Sequence, residues 1–132
     1  MPNTIIAPID ADLSSFYSSE LSSPFSLESL SFVRDLSQRL LSKQGAVDAE
    51  LHALGFWCRS QKIEQIRDAY FRQNKHLICR PKGTVFQIAP GNVDSLFMYS
   101  GLLSLLLGNR TLVRLSNKKD QRFARIFSIL NE

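Results

Sequence analysis

Pro90, Gly91 and Asn92 form a turn sequence between an apolar run and a strongly apolar segment. This order predicts a strand, a tight turn and the start of a helix. The first N–H groups of a helix have no partner within it, so such a turn can face an anion or a developing negative charge. The amide of Asn92 could donate to an oxyanion during acyl transfer. Asparagine is also among the best helix N-cap residues, so both roles stay open.

A second polar set follows the apolar run at 111–115 and comprises Arg114, Ser116, Asn117, Lys118 and Lys119. These side chains could hydrogen-bond ribose hydroxyls or pair with a phosphate, and an ordinary solvated loop is the alternative. The sequence has no G-x-G-x-x-G and no G-x-x-x-x-G-K-[ST] motif. Any dinucleotide site must therefore be of another kind.

The sequence contains no evident nucleophile and no evident metal site. Cys58 lies in an apolar helical stretch and Cys79 in a predicted strand, so we interpret both as buried structural cysteines. Neither has a metal-ligand spacing with His52 or His76, and no metal is predicted. Two cysteines form no disulfide framework, and the first residues lack a secretion signal. We expect a reduced, cytoplasmic setting.

The overall composition is that of an ordinary soluble domain. The 132 residues are 44% hydrophobic and 21% charged, with a formal charge of +4. That charge favours a solvated basic face first, a nucleotide phosphate or acidic coenzyme second, and nucleic acid last. The most apolar segment, 96–107, is shorter than the ~20 residues that a membrane span needs. No nucleic-acid partner and no membrane span are predicted.

Three parts are expected along the chain. Residues 1–25 are serine-rich and predict a flexible lead-in. Residues 26–75 predict a helical segment, in which Ser26 is an N-cap and Gly45 a stop for a first helix. The region 49–70 then fits two helices or one bent helix, in which Phe56 and Trp57 are interpreted as packing residues. The third part is 76–132.

Residues 76–132 show the alternation of a βαβα unit. Short apolar runs at 77–79, 85–88 and 111–115 predict strands, while 93–107 and 120–130 predict helices, the first ending at Gly108 and Asn109. This order is typical of an α/β fold with a parallel sheet. The carboxyl ends of its strands should bring 89–92 and 116–119 together. Two parallel strands make an incomplete sheet, so we expect a longer protein or a lobe completed by a partner.

The sequence from Gly83 to Asn92, the apolar helix after it and the sequence from Leu107 to Ser116 resemble the N-terminal cofactor-binding region of the aldehyde dehydrogenase superfamily. The likeness is closer to the long-chain acyl-CoA reductase branch, which includes the fatty-acid reductase of bacterial luminescence. The phrase L-H-A-L-G-F-W at 51–57 is similar to that branch as well. The resemblance spans about residues 48 to 120 and implies part of an incomplete, Rossmann-like parallel sheet.

The resemblance also implies a site. Asn92 stands at the position of the family's oxyanion-stabilising asparagine, and Arg114 at that of a lysine that contacts the adenosine ribose. Asn117 replaces a glutamate that NAD-preferring relatives often carry, and Lys118 follows it, so NADPH is expected over NADH. The implied cofactor-binding residues are Ile88, Ala89, Pro90, Gly91, Asn92, Arg114, Ser116, Asn117 and Lys118.

The complete protein implied by the resemblance reduces an acyl thioester such as acyl-CoA to an aldehyde through a cysteine acyl-enzyme. The family's catalytic cysteine lies far downstream of the matched motifs, so this chain is expected to need a C-terminal part or a partner subunit. Gly91 and Asp94 depart from the family's usual tryptophan and proline. The rival hypothesis is a non-enzymatic helical and α/β interaction module, whose exposed sheet edge recruits a partner.

Overall fold

The computed structural model describes residues 12–42, 48–89, 95–115 and 121–131. Their elements, in chain order, are α1 (Leu13–Ser18), α2 (Leu27–Leu41), α3 (Ala49–Trp57), α4 (Ser60–Gln73), β1 (Thr84–Ile88), α5 (Leu96–Leu106), β2 (Arg110–Arg114) and α6 (Gln121–Asn131). This is a mixed arrangement of helices with a small parallel sheet, so the α/β prediction is confirmed.

Helix α2 is the central element of the helical part. Ser26 caps it, because the Ser26 hydroxyl accepts a hydrogen bond from the Ser29 N–H at 3.2 Å, as predicted. Val33, Leu36 and Leu40 recur at helical spacing and are buried in the core. The predicted stop, Gly45, lies outside the described residues. The buried stripe of α2 is therefore the surface on which the other helices pack.

Helix α3 crosses α2 closely at Gly55. The buried Ser37 hydroxyl donates to the Gly55 carbonyl at 2.7 Å. A Cβ atom at Gly55 would lie 2.9 Å from the Leu40 Cβ, which is closer than side-chain carbons approach one another. Glycine is required here because the side chains of Leu40 and Leu41 lie directly against the α3 backbone.

The region after residue 48 forms two helices rather than one bent helix. The break lies at Cys58 and Arg59, between α3 and α4. Trp57 packs edge-on against Tyr99 of α5, with ring centroids 5.2 Å apart, so its packing role is confirmed. The same interpretation is wrong for Phe56, which is 45% exposed under the Arg59 guanidinium. Phe56 lies on the side of α3 opposite the buried leucines.

The sheet contains β1 and β2 side by side in parallel, with α5 between them in sequence. Helix α6 follows β2, so the predicted βαβα order is confirmed. The strand predicted at 77–79 is wrong, because those residues form no ladder and Leu77 and Ile78 are 68% and 86% exposed. An apolar run becomes a strand only when a neighbouring strand accepts its hydrogen bonds, and the described sheet offers none there.

Helix α5 ends where the sequence predicts. The Asn109 N–H donates to the Ser104 carbonyl and the Gly108 N–H to the Leu105 carbonyl, which is the Schellman pattern. Gly108 has φ of +85°, and a Cβ there would lie 2.0 Å from the Ser22 carbonyl oxygen. Although α5 is strongly apolar, no helix within the described ranges has the length and apolarity to cross a membrane.

The core extends into the segment predicted as a lead-in. Phe25 is buried, with its ring 5.5 Å from that of Tyr70. The Arg110 guanidinium donates to the carbonyl oxygens of Tyr17 and Ser19. The flexibility of 1–25 and the division at residues 25 and 75 stay predictions. The described part of that segment, from residue 12, nevertheless contacts the packed chain.

One face of the sheet is covered and the other is open. Gln87 of β1 and Thr111 of β2 hydrogen-bond with residues of α5, which covers their face. On the other face, Phe86 and Ile88 are 58% and 67% exposed. Parallel sheets are usually covered on both faces, so this apolar surface is typical of a sheet that receives further packing.

Candidate functional site

The carboxyl ends of the two strands lie directly beside each other. Ile88 is paired with Arg114 in the parallel ladder, and the Ala89 N–H donates to the Arg114 carbonyl at 2.9 Å. The ends of β1 and β2 are thus neighbours, and Ala89 is the only residue of the two predicted segments, 89–92 and 116–119, that lies within the described residues. Pro90, Gly91 and Asn92 lie outside the described residues, as do Ser116, Asn117 and Lys118.

The described side chains at this edge combine an apolar surface with a cation. Ile88 is 67% exposed and Arg114 is exposed, and residues paired across a ladder share a face of the sheet. Ala89 is buried at 6% exposure. A guanidinium offers five N–H donors and suits phosphate oxygens or hydroxyl groups, while Ile88 offers an apolar contact. The described side chains therefore suit a ligand that has both an apolar part and an anionic or hydroxylated part.

Ser95 is the first described residue after Ala89 along the chain. This residue precedes α5, but its hydroxyl does not cap that helix. The Ser95 Oγ donates instead to the Glu50 Oε2 of α3 at 2.9 Å, and Ser95 is buried. The bond joins residues 45 apart in sequence, so sequence reasoning missed both partners. A serine directly before an apolar helix predicts a helix cap, whereas the bond of Ser95 with Glu50 is seen only in the folded chain.

Gln87 is a second residue that sequence reasoning missed. Its side chain points from the middle of β1 to α5, where its amide donates to the Phe97 carbonyl at 3.2 Å and to the Ser100 hydroxyl. A glutamine within the otherwise apolar run 85–88 was the available signal, since a polar residue facing a helix must find a partner.

The cysteines do not supply a nucleophile at this edge. Cys58 has no exposed surface, and burial raises the pKa of its thiol to about 12. Cys79 is half-buried and precedes β1, near the opposite, amino end of the strand. A hydrogen bond with Cys79 is the main cause that raises the pKa of the Tyr70 hydroxyl, followed by burial and the Cys79 charge. The structural interpretation is confirmed for Cys58, whereas Cys79 lies outside any described strand.

We expect the two thiols to differ sharply in reactivity. With a pKa of about 12, the Cys58 thiol is only ~0.01% ionised at pH 8 and is also shielded, whereas Cys79 is partly accessible. Ellman's reagent should therefore modify one thiol in the folded chain and both in guanidinium chloride. Cys79→Ala should abolish the reaction of the folded chain, and Cys58→Ala should leave it unchanged. Equal rates for both thiols in the folded chain would contradict this assignment.

One cavity among the described residues lies away from the strand ends. It has a volume of about 180 Å³ and lies between α2 and α4, with Leu30, Cys58 and Ile63 in its wall. None of the residues predicted for the cofactor site lines it.

A comparison with protein families supports one assignment. Residues 17–131 match the family model described as acyl-CoA reductase (LuxC). The chain belongs to this acyl-CoA reductase family. The match includes both strand ends and the whole region from 48 to 120 in which the sequence resembles such reductases. No curated protein and no solved structure matches the chain. Membership of the acyl-CoA reductase family does not favour the interaction-module hypothesis, and the wider aldehyde dehydrogenase relationship stays a prediction.

Proposed function

We propose that this chain forms the first part of the nicotinamide-cofactor cleft in an acyl-CoA reductase that reduces an acyl thioester to an aldehyde. The observation that carries the proposal is the pairing of Ile88 with Arg114 at the carboxyl ends of adjacent parallel strands. Ligands of open α/β sheets bind beyond these ends. Family membership supports the reaction class, and the paired strand ends support this location for the cofactor.

The exposed groups at the strand ends suit a nicotinamide cofactor. Arg114 would donate to ribose hydroxyls, and Ile88 and Ala89 would border the nicotinamide. Asn92 would donate its amide to the thioester oxygen as negative charge develops there. NADPH, when bound, supplies the hydride. Asn117 and Lys118 would favour NADPH over NADH, because neither side chain is a carboxylate that would repel the 2'-phosphate.

The nucleophile of the proposed reaction is a cysteine outside these 132 residues. Cys58 is excluded by its burial and raised pKa, and Cys79 by its place near the amino end of β1. A thioester-forming cysteine needs an accessible thiolate beside the cofactor. We therefore place the acyl-enzyme on additional polypeptide, which also packs on the open sheet face at Phe86.

Calorimetric titration with NADPH and NADH tests the proposal. The chain should bind NADPH, and Arg114→Ala should weaken that binding about 10- to 100-fold, because hydrogen bonds from a charged donor contribute ~1.5–3 kcal/mol. Arg72→Ala is the matched control, since Arg72 is also exposed but lies at the far end of α4. If both variants bind NADPH as the unaltered chain does, or if the folded chain binds neither nucleotide, the cofactor site is not where we place it.

A further inference from the structure

Helix α5 has apolar residues on nearly all sides. Phe97, Met98 and Leu102 are buried, yet Leu96 and Leu103 are 52% and 37% exposed. A helix with apolar residues all round can bury similar area in more than one rotation about its axis. Burial alone therefore does not fix which side of α5 faces the sheet.

Polar contacts fix that rotation. Ser100 and Ser104 lie one turn apart on α5, and each meets a different strand. The Gln87 amide of β1 donates to the Ser100 hydroxyl, and the Thr111 hydroxyl of β2 donates to the Ser104 hydroxyl at 2.8 Å. A serine facing a strand pairs only when the helix has the correct rotation and height. Together these contacts set the register of α5 on the sheet.

Gln87 makes more of the polar contacts between the sheet and α5 than Thr111 does. One side-chain nitrogen donates to both the Phe97 carbonyl, at 3.2 Å, and the Ser100 hydroxyl. The contacts lie in the first turns of α5, immediately after Ser95. Gln87 also directly precedes Ile88 on β1. The Gln87 amide thus joins the end of β1, where we place the cofactor edge, to the first turns of α5.

We propose that Gln87 is a positioning residue for the cofactor site. It does not touch the cofactor; it holds the start of α5 at a fixed distance and rotation relative to Ile88, Ala89 and Arg114. Its consequence for binding rests on the proposed function, whereas its effect on α5 is independent of it.

The only tryptophan reports on α5 directly. The Trp57 ring of α3 meets the Tyr99 ring of α5 at 5.2 Å, so a rotation or shift of α5 alters the surroundings of the indole. Gln87→Met keeps the side-chain length and removes the donors. We expect unchanged helix content by circular dichroism and a changed Trp57 emission spectrum. The Kd for NADPH should rise about tenfold, because a shifted α5 would misplace the residues of the proposed cofactor site. Ser100→Ala should change Trp57 emission and the Kd for NADPH in the same direction as Gln87→Met, but by a smaller amount.

The control must destabilise the fold without altering the contacts that Gln87 and Thr111 make with α5. Ser26→Ala removes the N-cap of α2 and should lower the melting temperature while leaving Trp57 emission and NADPH affinity unchanged. Unchanged emission and affinity in Gln87→Met would overturn the proposal, as would equal changes in Ser26→Ala. If Gln87→Met does not fold, Ser100→Ala is tested instead by hydrogen exchange of the α5 amides and by Trp57 emission. Unchanged exchange and unchanged emission in Ser100→Ala would overturn the proposal. If the unaltered chain binds no nucleotide, the proposed function fails, and Trp57 emission still decides the role of Gln87.

Discussion

Replacement of Asn92 by alanine should lower kcat for acyl-CoA reduction by about 100- to 1,000-fold in a reductase that contains this chain. The reason is that the amide would donate to the thioester oxygen only as it gains negative charge, so the hydrogen bond stabilises the transition state more than bound substrate. Loss of one preorganised oxyanion donor costs ~2.7–4 kcal/mol in acyl transfer. The KM for NADPH should change little.

Steady-state oxidation of NADPH, followed at saturating acyl-CoA, measures this effect. Asn74→Ala is the matched control, because Asn74 caps the end of α4 and its side chain bonds only to the Tyr70 carbonyl among the contacts described. A fall in kcat below tenfold in Asn92→Ala would mean that Asn92 is merely a helix cap. A rise in the KM for NADPH at constant kcat would instead make Asn92 a cofactor-binding residue.

Leu54→Ala should lower the free energy of unfolding by about 2–5 kcal/mol. Leu54 has no exposed surface and belongs to the core cluster that joins α2 and α3. The substitution removes buried methyl groups and leaves a cavity, because the close contact of Gly55 with the Leu40 and Leu41 side chains limits how far α2 and α3 can relax. Domains commonly have ~5–15 kcal/mol of stability in total, so this loss is a large fraction.

Urea unfolding followed by circular dichroism tests the prediction, and Leu27→Ala is its control. Leu27 is 82% exposed at the first turn of α2, so the same change should cost less than about 0.5 kcal/mol. Similar losses in the two variants would show that α2 and α3 do not pack as described. A change in the slope of the unfolding free energy against urea concentration in Leu54→Ala would indicate an altered denatured state instead.

Local patterns predicted the elements whose signals lie within a few residues. Ser26 caps α2, Gly108 ends α5, and the two runs around Phe86 and Leu112 form the strands. Each is specified by backbone preference or by side-chain alternation along a short stretch. The order of these elements was sufficient to place the ends of β1 and β2 side by side.

Contacts between distant residues could not be predicted in this way. Residues 77–79 have the composition of a strand but no described partner, and Phe25 packs on Tyr70 from a segment without periodicity. The bond between Ser95 and Glu50 depends on how α3 and α5 meet. The composition of a segment limits what it can form, while its neighbours in the fold decide what it does form.

The most direct test of the central claim is to map NADPH on the chain by NMR. Titration of isotope-labelled protein should shift the amide resonances of Ile88, Ala89, Arg114 and Leu115, because these residues form the described edge at the carboxyl ends of β1 and β2. Such shifts, weakened in Arg114→Ala, are the result that the proposed function predicts. Shifts confined to the cavity around Leu30 and Ile63, or none from a folded chain, would contradict it.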